Sequence, residues 1–236
     1  MLRDSQYWAV IPAAGAGARM GADRPKQYLR IGGKCLLAYA LEHFCRHPRI
    51  TGVVVALAEG DPYWPGLPIS THEKIIMATG GEQRCHSVLN SLRRLAHHAQ
   101  PDDWVLVHDA ARPCLRSEDI DYLMQELAGH PVGGLLALPV QDTMKRADSE
   151  NEISETVDRQ GLWHALTPQM FRFAKLTQAL TQAIGRDQMV TDEAQAMELS
   201  GVRPKLLTGH PGNIKVTHRG DLPVAELFLL QQEGRK

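Results

Sequence analysis

The chain has no long apolar run: none of its 236 residues sits in a stretch near the roughly 18 that a membrane-crossing helix needs. Cysteine is scarce. The four residues Cys35, Cys45, Cys85 and Cys114 are widely spaced and form no C-x-x-C pair, which argues against a disulfide framework or a zinc ribbon. Buried thiols in a reducing cytoplasm are the expectation. A surplus of one charge is also missing, with 26 Lys and Arg against 27 Asp and Glu, a net charge of −1 and a pI near 6.8. No global basic field points to nucleic acid, so any anion site must concentrate its cations locally. Internal repeats and low-complexity linkers are absent, and Met1 to Gln6 does not read as a signal peptide. With 43% apolar residues the chain can bury one substantial core, and we expect one domain over 1–236.

Several catalytic signatures are lacking as well. There is no G-x-S-x-G, no H-E-x-x-H and no cysteine–histidine signature, which leaves covalent and zinc hydrolysis without support. His43 and His47 are four apart on an expected helix, but no third ligand follows at a fitting distance, so no metal site is assigned to the protein.

What is present begins at the apolar run Tyr7 to Ile11, expected to be a buried strand. It breaks at Pro12 into Ala13-Ala14-Gly15-Ala16-Gly17-Ala18, followed by Arg19, Arg24 and Lys26. Small residues let backbone N–H groups approach a ligand, and cations just downstream suit a polyanion such as a phosphate chain. The glycines fit neither common phosphate loop. Met20 stands where G-x-G-x-x-G needs its third glycine, and no acidic residue ends the second expected strand, about 20 residues on, where a dinucleotide ribose would need one. Gly33-Lys34 is followed by Cys35, which is not a Walker sequence. Pro25 restricts the chain immediately before Lys26, so that lysine is aimed.

Further strands are expected at Gly52 to Leu57, Lys74 to Met77, Trp104 to Val107, Gly134 to Leu138, Lys205 to Leu207 and Ile214 to Thr217. Helical spacing of apolar residues marks Leu36 to Phe44, Ser87 to Leu95, Ile120 to Leu127 with Ser117 as N-cap, and the face Phe173, Leu176, Leu180, Ile184. Asp192 with Gln195 resembles a capping box, and Gly201 is placed to end that helix. Alternation of this kind implies an α/β fold, a Rossmann-like, mostly parallel sheet with helices on both faces. Ligands of such sheets bind beyond the carboxyl ends of the strands, which gathers the loops at Pro12, Gly80 and His108. Residues 139–161 break the alternation. Two extended arms around a polar tip at Asp148 to Glu152 read as a protruding β-hairpin, either a solvated excursion of the sheet or an arm that grips a second subunit.

Three further clusters stand near those loops. Gly80-Gly81-Glu82-Gln83-Arg84 with Ser87 is either a plain turn or a frame of amides around a ligand. Asp109-Ala110-Ala111-Arg112 is a structural ion pair or a ligand site at a strand end. Lys215 lies in the β-branched run Asn213 to Thr217 and, taken alone, reads as an exposed edge lysine. Physics alone arrives at a phosphate-handling α/β enzyme with cationic stabilisers.

Seven blocks in one order then resemble a single family. They are P-A-A-G-A-G-A-R-M-G from Pro12, P-K-Q-Y-L from Pro25, H-D-A-A-R-P from His108, D-T-M-K-R from Asp142, T-V-D-R-x-G-L-W-x-A-x-T-P-Q from Thr156, T-D-E-A from Thr191 and N-I-K-V-T from Asn213. The chain resembles the 2-C-methyl-D-erythritol 4-phosphate cytidylyltransferases from Ala9 to Leu230. The resemblance implies a cytoplasmic homodimer of the non-mevalonate isoprenoid route that transfers a cytidylyl group from CTP to a small sugar-alcohol phosphate. It implies Mg2+ or another divalent cation, held mainly by the CTP phosphates. By position, Arg19 and Lys26 would stabilise the transition state, while Arg159 and Lys215 would hold the acceptor phosphate. Pro12, Ala13, Ala14, Gly15, Gly17, Gly81, Glu82, Ser87 and Ala110 would form the CTP side. Asp109, Arg112, Thr143 and Thr167 would line the acceptor side, with Thr143 and Arg159 coming from the second subunit's arm.

Two positions depart from the family's pattern. His210-Pro211-Gly212 stands where an acidic residue often contacts the lysine, and Glu82 stands where aspartate is common. A ribitol 5-phosphate cytidylyltransferase is the nearby alternative. A nucleotide-binding protein without chemistry is the alternative from another class, and a nicotinamide oxidoreductase is disfavoured by the failed dinucleotide spacing.

Overall fold

The computed structural model describes residues 5–15 and 24–234. Its strands are β1 (Tyr7–Pro12), β2 (Arg30–Ile31), β3 (Lys34–Cys35), β4 (Ile50–Leu57), β5 (Ile75–Thr79), β6 (Trp104–Val107), β7 (Gly133–Pro139), β8 (Met144–Ala147), β9 (Ile153–Val157), β10 (Trp163–Arg172) and β11 (Lys205–Thr208). The helices are α1 (Leu36–Cys45), α2 (Arg84–Leu95), α3 (Ser117–Leu127), α4 (Phe173–Gly185), α5 (Glu193–Leu199) and α6 (Asp221–Glu233). Seven strands form the central sheet in the order β11-β7-β10-β6-β1-β4-β5. All its pairings are parallel except those of β10, which runs antiparallel to both β6 and β7.

The strands are apolar on both faces because helices cover both. In β1, Ala9 and Ile11 pack with Leu37, Leu41 and Phe44 of α1 and with Ile120, Leu123 and Leu127 of α3. Trp8 and Val10 turn the other way, toward Val88 and Leu92 of α2 and Leu176 and Leu180 of α4. These side chains are almost wholly buried, and each Val, Leu, Ile or Phe among them contributes about 1.5–3 kcal/mol relative to exposure. A parallel sheet buried in this manner brings the carboxyl ends of β1, β5 and β6 to one edge.

Three expectations need correction. Ile214 to Thr217 is not a strand; Val216 donates a single backbone bond to the Ala111 carbonyl and the segment makes no ladder. Ser117 is the first residue of α3 rather than its N-cap, a position taken by Arg116, whose N–H is accepted by Asp119 Oδ2 at 3.3 Å. Asp192 caps α5 as expected by accepting the Gln195 N–H at 2.9 Å, but the Gln195 side chain accepts from Thr191 and does not close a box on Asp192. β10 and α6 are elements that the sequence pattern does not announce. Gly201, at φ +84°, does end α5.

The hairpin is present, with Met144 opposite Val157 and Lys145 opposite Thr156. Every residue from Gln141 to Ala165 is exposed except the half-buried Met144 and Val157. Its base is anchored on both sides, because β7 runs into it and β10 returns from it.

Candidate active site

A cavity of about 610 Å³ opens beyond the carboxyl ends of β1, β5 and β6. One wall of it is made of residues with little or no side chain. Ala13 donates to the Ala56 carbonyl at 2.8 Å and Gly80 to the Leu57 carbonyl at 2.7 Å, so both loops continue the sheet's hydrogen bonding past the strands. The loops also touch each other. A Cβ on Gly80 would lie 2.1 Å from the Ala14 Cβ, which no side chain can accommodate. Ser87, in the first turn of α2, accepts the Gly81 N–H at 3.0 Å and fixes the rim. The amino terminus of α2 lies beside it and favours an anion electrostatically.

Lys26 enters this cavity from a short 3-10 turn, Lys26–Tyr28, with Pro25 ahead of it. The turn is tied down on both sides of the wall. Buried Gln27 donates through Nε2 to the Ala13 carbonyl at 2.7 Å, and the Tyr28 hydroxyl donates to Asp61 Oδ2 at 2.8 Å. Each bond of this kind contributes about 0.5–1.5 kcal/mol net, enough to hold the lysine-bearing turn against the small-residue loop.

The opposite wall is charged. Asp109, at the end of β6, receives Lys215 Nζ at 2.7 Å on Oδ2 and Arg84 Nε at 2.9 Å on Oδ1, with Arg112 Nε 3.7 Å from Oδ2. Burial would raise the Asp109 pKa. The three cations outweigh it and hold the carboxyl well below the usual carboxylate range, so Asp109 is ionised. Arg84 turns its other two nitrogens to Glu193, NH1 to Oε1 at 2.7 Å and NH2 to Oε2 at 3.1 Å. These two carboxylates outweigh the effect of burial and hold the guanidinium above its ordinary range.

Behind Asp109 the backbone is positioned by neutral groups. Fully buried His108 is pushed down to about 3 by burial and stays uncharged. Its Nε2 lies 3.0 Å from the Arg112 carbonyl oxygen, which can only accept, so Nε2 carries the proton. Nδ1 therefore accepts from the Thr167 hydroxyl at 2.9 Å, and Thr167 Oγ1 accepts the Asp109 N–H at 3.1 Å. Arg112 donates to the Asn213 carbonyl at 2.7 Å, and Asn213 Nδ2 donates to the Thr167 carbonyl at 2.7 Å. That pair fixes the segment bearing Lys215.

Pro12, Ala13, Ala14, Gly15, Lys26, Gly81, Glu82, Ser87, Asp109, Ala110 and Lys215 thus meet on one cavity. Arg112 and Thr167 are buried behind the wall and support it. Thr143 and Arg159 stand on the exposed hairpin, where Arg159 donates to the Gln141 carbonyl. Gly17 and Arg19 lie outside the described residues. Asp109 orients Lys215, although no acidic residue stands at His210-Pro211-Gly212. Of Gln27, Arg84 and Glu193, the sequence singles out only Arg84, within the Gly80 to Arg84 loop and without a role of its own. P-K-Q-Y-L and T-D-E-A contain two of them, but their partners lie 14 and 109 positions away. Among the described residues, no three His, Cys, Asp or Glu side chains gather as a metal cage, and no helix is long and apolar enough to cross a membrane.

Comparison with known proteins converges on one family. The model of that family, 2-C-methyl-D-erythritol 4-phosphate cytidylyltransferase, matches residues 7–231. An enzyme of that name from Pseudomonas putida (strain W619) is 56% identical over 217 residues, covering 92% of each chain. One from Vibrio vulnificus (strain YJ016) is 52% identical over 228 residues, covering 97% of this chain and 96% of its own. A crystal structure of a 4-diphosphocytidyl-2C-methyl-D-erythritol synthase superposes with a TM-score of 0.84 at 38% identity, covering 97% of this chain and 100% of its own.

Proposed function

The chain belongs to the 2-C-methyl-D-erythritol 4-phosphate cytidylyltransferase family, and we propose that the cavity is where it joins CTP to 2-C-methyl-D-erythritol 4-phosphate. The products are 4-diphosphocytidyl-2-C-methyl-D-erythritol and pyrophosphate. The observation that carries this reading is the meeting of Lys26 and Lys215, far apart in sequence, on one cavity whose other wall is built of Ala, Gly and Ser.

The acceptor's phosphate oxygen attacks the α-phosphorus of CTP. A new P–O bond forms, the bond from the α-phosphorus to the bridging oxygen breaks, and pyrophosphate leaves with that electron pair. The nucleophile is already an anion, so no strong general base is required. The difficulty is to bring two polyanions together and to hold the charge that grows on the α-phosphate and the leaving group. In this reading Lys26, with Arg19, meets the reacting phosphates, and Lys215 meets the acceptor together with the partner's Arg159 and the partner's Thr143. Pro12, Ala13, Ala14, Gly15, Gly81, Glu82, Ser87 and Ala110 leave room for the base and sugar and offer backbone groups to them, and Gly17 is proposed to serve the same nucleotide. Asp109 keeps Lys215 extended into the cavity.

A divalent cation such as Mg2+ fits this site as cargo of the triphosphate. Both Asp109 oxygens already receive cations, and Mg2+ commonly binds through substrate phosphates while keeping several waters. When bound, it would neutralise charge on the phosphate chain. The partner we propose is a second copy of this chain. The support is the exposed arm, with Ile153 67% exposed and Trp163 36% exposed, because a lone hairpin of this length needs a surface to pack on. The domain then spans 1–236 with 139–161 as the dimerisation arm. Four buried, unpaired cysteines support a cytoplasmic setting.

Pyrophosphate release measured with CTP and each sugar phosphate tests the reading. Turnover with methylerythritol phosphate is expected. Faster turnover of ribitol 5-phosphate would move the chain to the alternative acceptor, and tight CTP binding by an intact dimer with no turnover would make it a binding protein.

A further inference from the structure

Arg84 is held on two edges by two carboxylates, and only one of these belongs to the cavity. Asp109 lines it, whereas Glu193 is 1% exposed at the first residue of α5 and does not reach it. Glu193 takes the paired NH1 and NH2 end of the guanidinium, leaving Nε alone for Asp109 Oδ1. Asp109 Oδ2 is then available to Lys215 Nζ at 2.7 Å. The start of α5 is itself fixed. Buried Gln169 donates through Nε2 to Asp192 Oδ2 at 2.9 Å and accepts the Ala194 N–H at 2.8 Å, clamping the residues on either side of Glu193.

We propose that Glu193 is a positioning residue for Lys215, acting through Arg84 and Asp109. A guanidinium prefers two parallel bonds to one carboxylate. Without Glu193, Arg84 turns its paired nitrogens to the nearest carboxylate, which is Asp109, takes both oxygens and displaces the lysine. Glu193 prevents this by occupying the paired end. The proposal rests on the cavity being the site of cytidylyl transfer and adds to it a determinant of acceptor binding that touches neither substrate.

The test is the steady-state kinetics of full-length Glu193→Gln, which keeps the side chain's size and removes its charge. Loss of one charge-assisted contact to the acceptor predicts a rise of about tenfold in KM for methylerythritol phosphate, with KM for CTP changed by less than about twofold. In a double-mutant cycle on kcat/KM, Glu193→Gln adds nothing to Lys215→Ala, and Glu193→Asp recovers part of the loss. A crystal structure of Glu193→Gln shows Lys215 withdrawn from Asp109. An unmoved acceptor KM, an additive cycle, or a Lys215–Asp109 contact retained in that crystal overturns the proposal. Should Glu193→Gln fail to fold, Glu193→Asp is measured by the same kinetics, cycle and crystal criteria. Wild-type protein is assayed in parallel. An inactive wild type overturns the functional reading beneath, while an active wild type with an unmoved variant overturns only the role of Glu193.

Discussion

Arg84 and Arg159 stand in two regions that treat an arginine differently. Arg84 has three nitrogens on two buried carboxylates and is itself only 27% exposed. Arg159 stands on an exposed stretch at the base of the hairpin, donating to the Gln141 carbonyl. Around Arg84 the effective dielectric is low, each charge is fixed by another, and one chain completes the arrangement by itself. On the hairpin the neighbouring ion pair Arg146–Glu155 has both side chains more than half exposed, a setting in which such pairs contribute about 0–1 kcal/mol. The cavity wall is therefore built by the fold, whereas under the proposed dimer the arm would become precise only on a second subunit.

Three measurements sharpen or break that contrast. The largest effect is expected inside the wall. Lys26→Ala should lower kcat by a factor on the order of 10²–10³ with a much smaller change in KM for CTP. A kcat within a few-fold of wild type would remove Lys26 from the transition state and leave the wall as mere binding surface.

The second addresses the arm. If Arg159 serves the neighbouring subunit, Lys26→Ala and Arg159→Ala dimers should each be nearly inactive, yet regain activity when mixed and reassorted. Random reassortment makes half the dimers mixed, each with one whole site, so recovery to about a quarter of wild-type activity is expected. No recovery after exchange proven by mass spectrometry would place Arg159 in its own subunit's site.

The smallest effect is on pH dependence of stability. His108 is neutral when folded, down to about 3, but titrates near 6.5 when unfolded. The unfolded chain thus binds one more proton between these values, and stability contributed here is full above 6.5 and falls as pH drops toward 3. The slope is about 1.4 kcal/mol per pH unit. Asp109, whose pKa is depressed, adds a loss only below its unfolded value of 3.8. Denaturant melts of His108→Gln between pH 6.5 and 4.5 should show a slope shallower by one proton. An unchanged slope would mean the folded histidine is charged and the hydrogen-bond chain to Thr167 is drawn wrongly.

Much of this was legible from the chain itself. Six of the expected strands, each a run of apolar residues, appear within two residues of their places, because apolar runs bounded by turns have few other uses in a chain of this length. The cavity loops were found from small residues and nearby cations. β10 was hidden because Pro168 and the buried polar residues Thr167 and Gln169 interrupt its apolar pattern, and those residues serve the site rather than the core. Lys215 was mistaken for a strand residue since a β-branched run reads alike whether it pairs along a ladder or by one bond to Ala111. The bond from Arg84 to Glu193 spans 109 positions, and spacing gives no sign of it.

One consequence follows from the path of β10. Its ten residues lead from Trp163 at the foot of the arm, through a break in register with β7 between Ala165 and Gln169, past Thr167 on His108, to Arg172 against β6. A slip of one residue at that break would turn Gln169 to Arg172 to the opposite face and carry the Thr167 hydroxyl off His108. A partner gripping the arm would therefore bear, through the same backbone, on the alignment that presents Asp109.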